Sequence, residues 1–232
     1  MIRQIVNRII YPNTCDNAHF VSYLRRNGAE VGEGTRFIDP KRCSVDPGRL
    51  DYISIGHNCC FSVASLIAHD YSWYVLGEAY NEILPDPGGK IIIGDNCFIG
   101  YQSCILKNTV IGDNVIIGAH SLVKGNIPSN TVWAGCPARQ ICTLDEYYKK
   151  QIENKISDAH YRRDFIIEKY NRPPTIEEMG YFCFLFLERN DDNYNEYISN
   201  LEFNGIVKSE IVKNIFYNTK PLFKTYTEFL NS

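Results

Sequence analysis

Five histidines are the side chains in this 232-residue sequence best suited to move a proton near neutral pH. A neutral imidazole can remove the proton of a hydroxyl group as that hydroxyl attacks an electrophile. His19 lies in a predicted N-terminal helix and His160 in a helical C-terminal region, and we expect both at the surface. His57 and His120 fall at predicted corners of the chain, where polar side chains are normal. His69 lies in the segment IAHDYS, just before an interruption of the repeat described below.

The nine cysteines are an odd number, and several of them occupy positions where a small apolar side chain is expected. Cys59 and Cys97 are examples, so we predict buried, reduced thiols of a cytoplasmic protein. Cys136 would need a positioned base to act as a nucleophile, and the sequence offers it none.

A period of six residues dominates residues 93–128, which contain the hexads IGDNCF, IGYQSC, ILKNTV, IGDNVI, IGAHSL and VKGNIP. Each first position is aliphatic and each fifth position is small or aliphatic. This period fits neither a helix nor an ordinary strand, and it predicts a solenoid of short strands and corners. Three sides make one coil, so Ile93 and Ile111 should stack in a continuous core. We expect Gly94, Gly112 and the Asp-Asn pairs to suit corners, because Gly and Asn tolerate left-handed backbone angles.

The same phase begins earlier, at Val31, Phe37, Ile55, Phe61 and Ile67. The segment DPKRCSVDPGRL between them is irregular, with a polar Arg49 where an aliphatic residue is due, and we interpret it as a distorted coil. The phase is lost again between residues 67 and 93. We predict a loop extruded over about residues 72–90, and long loops inside compact domains are usually either functional or disordered.

Helical patterns flank the repeat. Residues 1–30 are predicted to be a helical segment, with Asp16 capping a helix that runs to Arg26 and Gly28 ending it. The repeat domain covers residues 31–142, and a helical appendage covers residues 143–232. In the appendage, Thr143 and Glu146 form a capping box for a helix to about residue 170.

A second helix should follow from Thr175 and carry the apolar run YFCFLFL. This run could form an exposed apolar face, a patch that contacts glycolipid or the core of the appendage, and we interpret it as core. Asp191 and Asp192 should break that helix. A third helical stretch is expected at about residues 206–218, with a terminal turn at Thr225.

The net charge of −3, from 24 basic and 27 acidic residues, gives no electrostatic footprint for nucleic acid and no polybasic stretch for a membrane surface. The N-terminal sequence MIRQIVNRIIYPN lacks the unbroken apolar run of a signal peptide. The sequence contains no stretch of about 18 apolar residues, so it predicts no transmembrane helix. We therefore expect a soluble, cytoplasmic protein with no stable membrane insertion.

The hexads, the extruded loop and the closing VWAGCPAR resemble the hexapeptide-repeat acyltransferase superfamily over residues 31–142. SLIAHDYS and CTLDEYYKK are similar to segments of its sugar O-acetyltransferases of surface-polysaccharide pathways. The resemblance implies a mainly β protein with a left-handed parallel β-helix. It also implies a homotrimer with active sites between subunits. The implied reaction is direct transfer, in a ternary complex, from acetyl-CoA to a hydroxyl of a capsule or O-antigen saccharide.

By the same resemblance, His69 is the general base. The group that orients its ring stays open, with Asp70, Glu78, Glu82 and a main-chain carbonyl as candidates. Tyr71, Trp73 and Tyr74 follow His69, and their rings either stack on the acceptor sugar or pin the loop to the coil.

The resemblance also assigns residues to the co-substrate. Lys124 and Arg139 match positions that contact CoA, while Tyr101 and Ala119 match positions that line its pantetheine arm. Lys124 is one place earlier than the usual lysine, and Cys142 stands where a second arginine is common. A solvated lysine is therefore the alternative interpretation of Lys124.

Three other functions occur to different degrees with this kind of sequence pattern. N-acetylation of an amino sugar nucleotide would use the same fold with a less essential base. A metal-dependent hydratase of the carbonic anhydrase type needs an H-x-x-x-x-H pair that the sequence lacks, so no metal is expected. A non-enzymatic scaffold would not need His69, the loop and the P-A-R segment.

A lipid-linked acceptor would place the protein near the inner membrane surface.

Overall fold

In the computed structural model, which describes residues 9–203 and 210–232, the chain divides into two compact units. They are Met1–Lys149 and Lys150–Ser232. The predicted helical start at residues 1–8 and part of the helical stretch predicted at 206–218 lie outside the described residues. No helix in the described parts of the chain is long and apolar enough to cross a bilayer.

Residues 9–149 of the first unit contain thirteen short strands, most of them in parallel ladders. In chain order they are β1 Glu30–Val31, β2 Arg36–Phe37, β3 Ser44–Val45, β4 Ile53–Ile55, β5 Cys60–Phe61, β6 Ser65–Ile67, β7 Ile91–Ile93, β8 Phe98–Ile99, β9 Cys104–Ile111, β10 Ile116–Ile117, β11 Leu122–Ile127, β12 Thr131–Gly135 and β13 Ala138–Thr143.

The strands stack in three columns because each strand pairs with the strand one coil away. The first column runs β1, β4, β7 and the second half of β9, and the second runs β2, β5, β8, β10 and β12. The third column contains β3, β6 and the first half of β9. Strands β9 and β11 bend around the corner between the third and first columns, so these two columns form one sheet. The chain therefore curls through the three columns in turn.

The side chains at the predicted inward positions form the core of the coils. Ile93 pairs with Ile111 one coil away, as predicted, and both are buried. The prediction for Ile67 is wrong: Leu66 is buried and pairs with Ile105, while Ile67 is only half-buried. The corner between Phe61 and β6 is one residue shorter than in the next coil, and a period of six cannot reveal that.

The corners follow two different physical rules. Asn96 and Asn114 have φ of 55° and 57°, which confirms their predicted left-handed backbone. The same explanation is wrong for Gly94 and Gly112, whose φ angles lie outside that region. A Cβ on Gly94 would lie 2.2 Å from the Oδ1 of Asp113 and 2.9 Å from the carbonyl carbon of Gly112. These glycines therefore allow neighbouring coils to approach closely.

Helix α1, Asn17–Arg26, precedes the first coil. The Asp16 side chain accepts a hydrogen bond from the backbone N–H of His19, which confirms the predicted cap. Gly28 follows the helix with φ of 104°, again as predicted. Phe20 packs edge-on against Phe37 with ring centres 4.9 Å apart, so the helix contributes to the core of the coils.

In the described parts of the chain after α1, one α-helix lies in the loop before β7 and five more follow the coils. They are α2 Trp73–Tyr80, α3 Leu144–Tyr170, α4 Ile176–Met179, α5 Asp191–Phe203, α6 Glu210–Asn218 and α7 Tyr226–Leu230. Helix α3 has the predicted length, begins in the first unit and continues into the second.

In the second unit, the apolar run is core, as predicted: Cys183, Leu185 and Phe186 are buried. It forms a 3-10 helix, Gly180–Leu185, rather than part of an α-helix, because Gly180 at φ of 56° ends α4. Asp191 begins α5 instead of serving only as a break, and acidic residues suit the first turn of a helix.

Candidate active site

His69 forms a hydrogen-bonded pair with Asp46. The Nδ1 atom of His69 contacts the Oδ2 atom of Asp46, and these residues are 23 positions apart in the chain. The Asp46 side chain is 3% exposed, whereas 27% of the His69 side chain is exposed. The pair therefore combines a buried carboxylate with an imidazole that solvent or a ligand can reach.

Two neighbouring strands of the third column position this pair. Asp46 directly follows β3 and His69 lies two residues after β6, at the same corner, and Val45 pairs with Leu66 across these strands. The backbone N–H of Asp46 donates to the carbonyl of Leu66 at 3.0 Å. In return, the N–H of Ala68 donates to Oδ2 of Asp46 at 3.1 Å. Both backbones are thus fixed next to the side-chain contact.

A third hydrogen bond completes the environment of the carboxylate, from the backbone N–H of Gly48 to Oδ1 of Asp46 at 3.1 Å. Asp46 thus takes the orienting position for which the sequence suggested Asp70, Glu78, Glu82 or a main-chain carbonyl. The available signal was an aspartate in the turn sequence VDPG of the distorted coil, about one coil before the histidine. Because the repeat is broken in this coil, the sequence pattern cannot show which residue of the coil lies next to His69.

The imidazole of His69 opens on a cavity of 330 Å³ between the coil corner and the extruded loop. Its walls combine charged and apolar side chains from both elements. The lining residues are Asp46, Gly48, Arg49, His69, Asp70, Tyr71, Trp73, Ile83, Pro85 and Asp86. A concave site with convergent polar groups and aromatic walls is typical of a small-molecule binding site.

Two of the three aromatic residues predicted to contact the acceptor line this cavity. They are Tyr71, whose ring centre lies 4.4 Å from that of His69, and Trp73. Tyr74 does not line the cavity and is 62% exposed. The structure thus brings Tyr71 and Trp73 to the candidate base and leaves Tyr74 on the outer surface of α2.

The end of the extruded loop is fixed by an ion pair. Lys107, at the corner of the next coil, lies 2.7 Å from Oδ1 of Asp86 and 3.9 Å from the carboxylate of Asp70. The hydrogen bond from Lys107 is the main reason that the pKa of Asp86 falls to about 2. The other oxygen of Asp86 accepts the backbone N–H of Asp70, and the Asp86 side chain therefore links both ends of the loop.

The four residues predicted to contact the co-substrate do not lie together on one chain. Lys124 is exposed in β11 at the corner that carries His69. Tyr101 and Ala119 lie at a different corner, between the second and third columns. Arg139 is exposed in β13, which pairs antiparallel with β12. One chain alone therefore presents the two halves of the predicted site at separate corners.

The corner with Tyr101 carries two further polar groups. The Arg42 guanidinium donates to the Tyr101 hydroxyl at 2.5 Å, and this hydrogen bond raises the pKa of Arg42. His120 packs edge-on against the Tyr101 ring with centres 5.8 Å apart. Its φ of 55° marks the predicted corner position.

The other candidate residues have structural partners. His57 accepts the backbone N–H of Glu33, and His160 hydrogen-bonds to Ser232. All nine cysteines lie in the described residues and none forms a disulfide bond, and Cys59 and Cys97 are buried as predicted. Among the described residues, the group with metal-ligand geometry is Cys15, Asp16 and His19, which does not line the His69 cavity.

Known proteins resemble this chain in sequence. The family model for bacterial transferase hexapeptide (six repeats) matches residues 90–125. Protein CapG of Staphylococcus aureus is 36% identical over 133 residues, which cover 56% of this chain and 75% of CapG. WbbJ of Escherichia coli strain K12, described as a putative lipopolysaccharide biosynthesis O-acetyl transferase, is 45% identical over 164 residues. That match covers 59% of this chain and 83% of WbbJ.

A solved structure is also similar. The crystal structure of a hexapeptide-repeat containing acetyltransferase from Vibrio cholerae is 18% identical, with a TM-score of 0.42. The match covers 61% of this chain and 89% of that chain.

Proposed function

Because this chain belongs to the bacterial hexapeptide-repeat transferase family, we propose that it transfers the acetyl group of acetyl-CoA to a saccharide hydroxyl. The His69–Asp46 pair on an aromatic-lined cavity is the observation that carries this proposal. The O-acetyl transferase description of WbbJ supports a saccharide of the cell surface as acceptor. The proposed coil is left-handed, as in the superfamily that the sequence resembles.

The Asp46 carboxylate determines which nitrogen of His69 acts as the base. A carboxylate only accepts hydrogen bonds, so the Nδ1 atom that contacts it carries the proton. The Nε2 atom is then the nitrogen with a free lone pair. Asp46 also stabilises the positive charge that the ring acquires when Nε2 takes a proton.

The proposed reaction proceeds in one ternary complex. Nε2 of His69 removes the proton of the acceptor hydroxyl while the oxygen attacks the thioester carbonyl of acetyl-CoA. The tetrahedral intermediate collapses with cleavage of the carbon–sulfur bond, and the imidazolium returns the proton to the CoA thiolate. The products are the acetyl ester and CoA, and His69 is neutral again.

The base favours a hydroxyl over an amine as the acceptor group. An amine attacks without a strong base once it is deprotonated, whereas an alcohol has a pKa far above 7. Asp46 is buried, takes part in three hydrogen bonds and thereby orients His69. An N-acetyltransferase would have less need of a base oriented in this way.

A complete site requires a second copy of the chain in this proposal. His69 and Lys124 lie at one corner, and Tyr101 and Ala119 at another. Helix α2 buries none of its residues, although it exposes Tyr74, Val75, Leu76 and Tyr80. An apolar face of this kind on the loop supports the inferred homotrimer, in which the loop of one subunit would cover its neighbour.

The decisive experiment measures thiol release from acetyl-CoA over a panel of sugars, nucleotide sugars and oligosaccharides, with mass spectrometry of the product. The expected product carries one acetyl ester, and His69→Gln should lower kcat by roughly 10²- to 10⁴-fold. His160→Gln is the matched control, because His160 lies in the second unit. An amide product, or an unchanged kcat in His69→Gln, would contradict the proposal.

A further inference from the structure

Arg49 is a cation in the His69 cavity with unused hydrogen-bonding capacity. Its Nη1 donates to the carbonyl oxygen of Gly48 at 3.1 Å, and its guanidinium carbon lies 6.0 Å from the ring centre of Tyr52. Its Nε is buried and has no hydrogen-bond partner among the described residues. Buried N–H groups are nearly always paired, so the hydrogen-bonding capacity of this guanidinium is not fully used within the protein.

A glycine packs closely against this nitrogen. Gly88 has φ of +77°, and a Cβ at this position would lie 3.1 Å from Nε of Arg49 and 2.8 Å from the Tyr52 ring. Any larger residue at position 88 would therefore press on the guanidinium. The end of the extruded loop is shaped around the Arg49 side chain.

The acidic groups of the cavity already have partners of their own. Asp46 binds His69, and Asp86 binds Lys107. Asp70 accepts the backbone N–H of Ser72 and lies 3.9 Å from Lys107. In the part of the chain that the structure describes, no carboxylate forms an ion pair with Arg49. The guanidinium is thus the positive charge of this cavity that no neighbouring side chain neutralises.

We propose that Arg49 binds an oxyanion of the acceptor, so that the substrate class is an acidic or phosphorylated saccharide. This inference rests on the proposed function. The planar guanidinium pairs with carboxylates and phosphates through two parallel hydrogen bonds, which a neutral sugar hydroxyl cannot match. An acceptor anchored there lies in the same cavity as His69, with Trp73 and Tyr71 as apolar walls for its ring.

The test compares matched acceptors that differ by one charged group. Methyl glucoside is paired with methyl glucuronide, and N-acetylglucosamine is paired with its 1-phosphate and with its uridine diphosphate derivative. We expect the charged member of at least one pair to have a kcat/KM about 10- to 100-fold higher. The carboxylate and phosphate arms then identify which oxyanion Arg49 binds.

Two variants assign that preference to Arg49. Arg49→Gln should reduce the charged-to-neutral ratio of kcat/KM to about one, and Arg49→Lys should retain part of it. Arg26→Gln, an exposed substitution of the same type in α1, should keep the wild-type ratio. The KM for acetyl-CoA should not change in either Arg49 variant.

The remaining outcomes distinguish failure of the Arg49 inference from failure of the proposed function. Equal kcat/KM on both members of every pair overturns the inference and leaves the proposed function standing. A rise in the KM for acetyl-CoA alone in Arg49→Gln also overturns it, because the oxyanion would then belong to CoA. Thiol release with none of the sugars contradicts the proposed function itself. If thermal melting shows that the Arg49 variants do not fold, the wild-type ratios decide the question.

Discussion

The Nζ atom of Lys107 lies 2.7 Å from Oδ1 of Asp86 and thereby joins a coil corner to the end of the loop that covers His69. This hydrogen bond lowers the pKa of Asp86 from 3.8 to about 2. A carboxyl group with a depressed pKa stabilises the folded state above its ordinary pKa, and that contribution is lost as pH falls through about 2.

Lys107→Met should therefore loosen the loop at residues 72–90. The carboxylate of Asp86 would lose its counter-ion, and we expect faster hydrogen exchange in this segment at neutral pH. In the wild type the same loosening should appear only on acidification from about pH 4 to pH 2. Lys90→Met is the control, since Lys90 is exposed and makes no ion pair among the described residues. Equal exchange in both variants would contradict the role of Lys107.

Asp46→Asn should lower kcat about 10- to 100-fold and leave the KM for acetyl-CoA unchanged. An amide can donate to Nδ1 of His69 and so favour the tautomer with its proton on Nε2. Asp46→Ala provides the comparison. A purely structural role predicts that Asn is tolerated better than Ala, because Asn keeps the acceptor for Gly48. An Asn variant as slow as Ala, or slower, supports the positioning role.

Trp73→Ala should raise the KM of the acceptor while the KM of acetyl-CoA stays near the wild-type value. The Trp73 ring lines the His69 cavity, and stacking of a sugar on an aromatic face would be lost. Tyr74→Ala is the matched variant, because Tyr74 is the next residue and does not line the cavity. An unchanged acceptor KM in Trp73→Ala would exclude stacking at this position.

Gly94→Ala should destabilise the coils by about 1–3 kcal/mol. The added methyl group would meet the backbone of Gly112 at 2.9 Å, and backbone cannot rotate away as a side chain can. Gly48→Ala serves as the control, since the nearest atom to its Cβ is Oδ1 of Asp46 at an ordinary 3.7 Å. Urea unfolding gives both values. A Gly94→Ala protein as stable as the control would show that the coils can separate at little cost.

The asparagine ladder at the corners offers a separate test of stability. Asn114 accepts from the side chain of Asn96 at 2.8 Å and donates to that of Asn130 at 3.1 Å. Asn114→Gly loses both hydrogen bonds, at about 1 kcal/mol each. Asn114→Ala should be about 1–2 kcal/mol less stable still, because alanine must adopt φ of 57°. Equal melting temperatures for the two variants would show that backbone strain at position 114 does not lower stability.

The hexad pattern predicted the core of the coils well because each inward position repeats the same physical requirement. Ile93 and Ile111 stack as expected, and Asn96 and Asn114 adopt the expected corner conformation. The pattern failed at Ile67, where one corner is a residue shorter. A periodic signal contains the average corner length and cannot locate a single departure from it.

The site was predicted only in part, for a related reason. His69, Tyr71 and Trp73 are close together in sequence, so one motif places all three at the cavity. Asp46 and Arg49 reach the same cavity from a coil whose repeat is broken by Pro40 and Pro47. Their approach to His69 depends on the pairing of β3 with β6, and no local pattern encodes that register.

The two ends of the coil stack differ from its interior. Helix α1 packs Phe20 onto the first coil, and β13 reverses direction to pair antiparallel with β12 at the last. Open edges of parallel strands are templates on which further chains can add. A helix therefore packs on the first coil, and a reversed strand occupies the edge of β12 on which a further parallel strand could add. Truncation within either cap would therefore expose a strand edge and create an aggregation hazard.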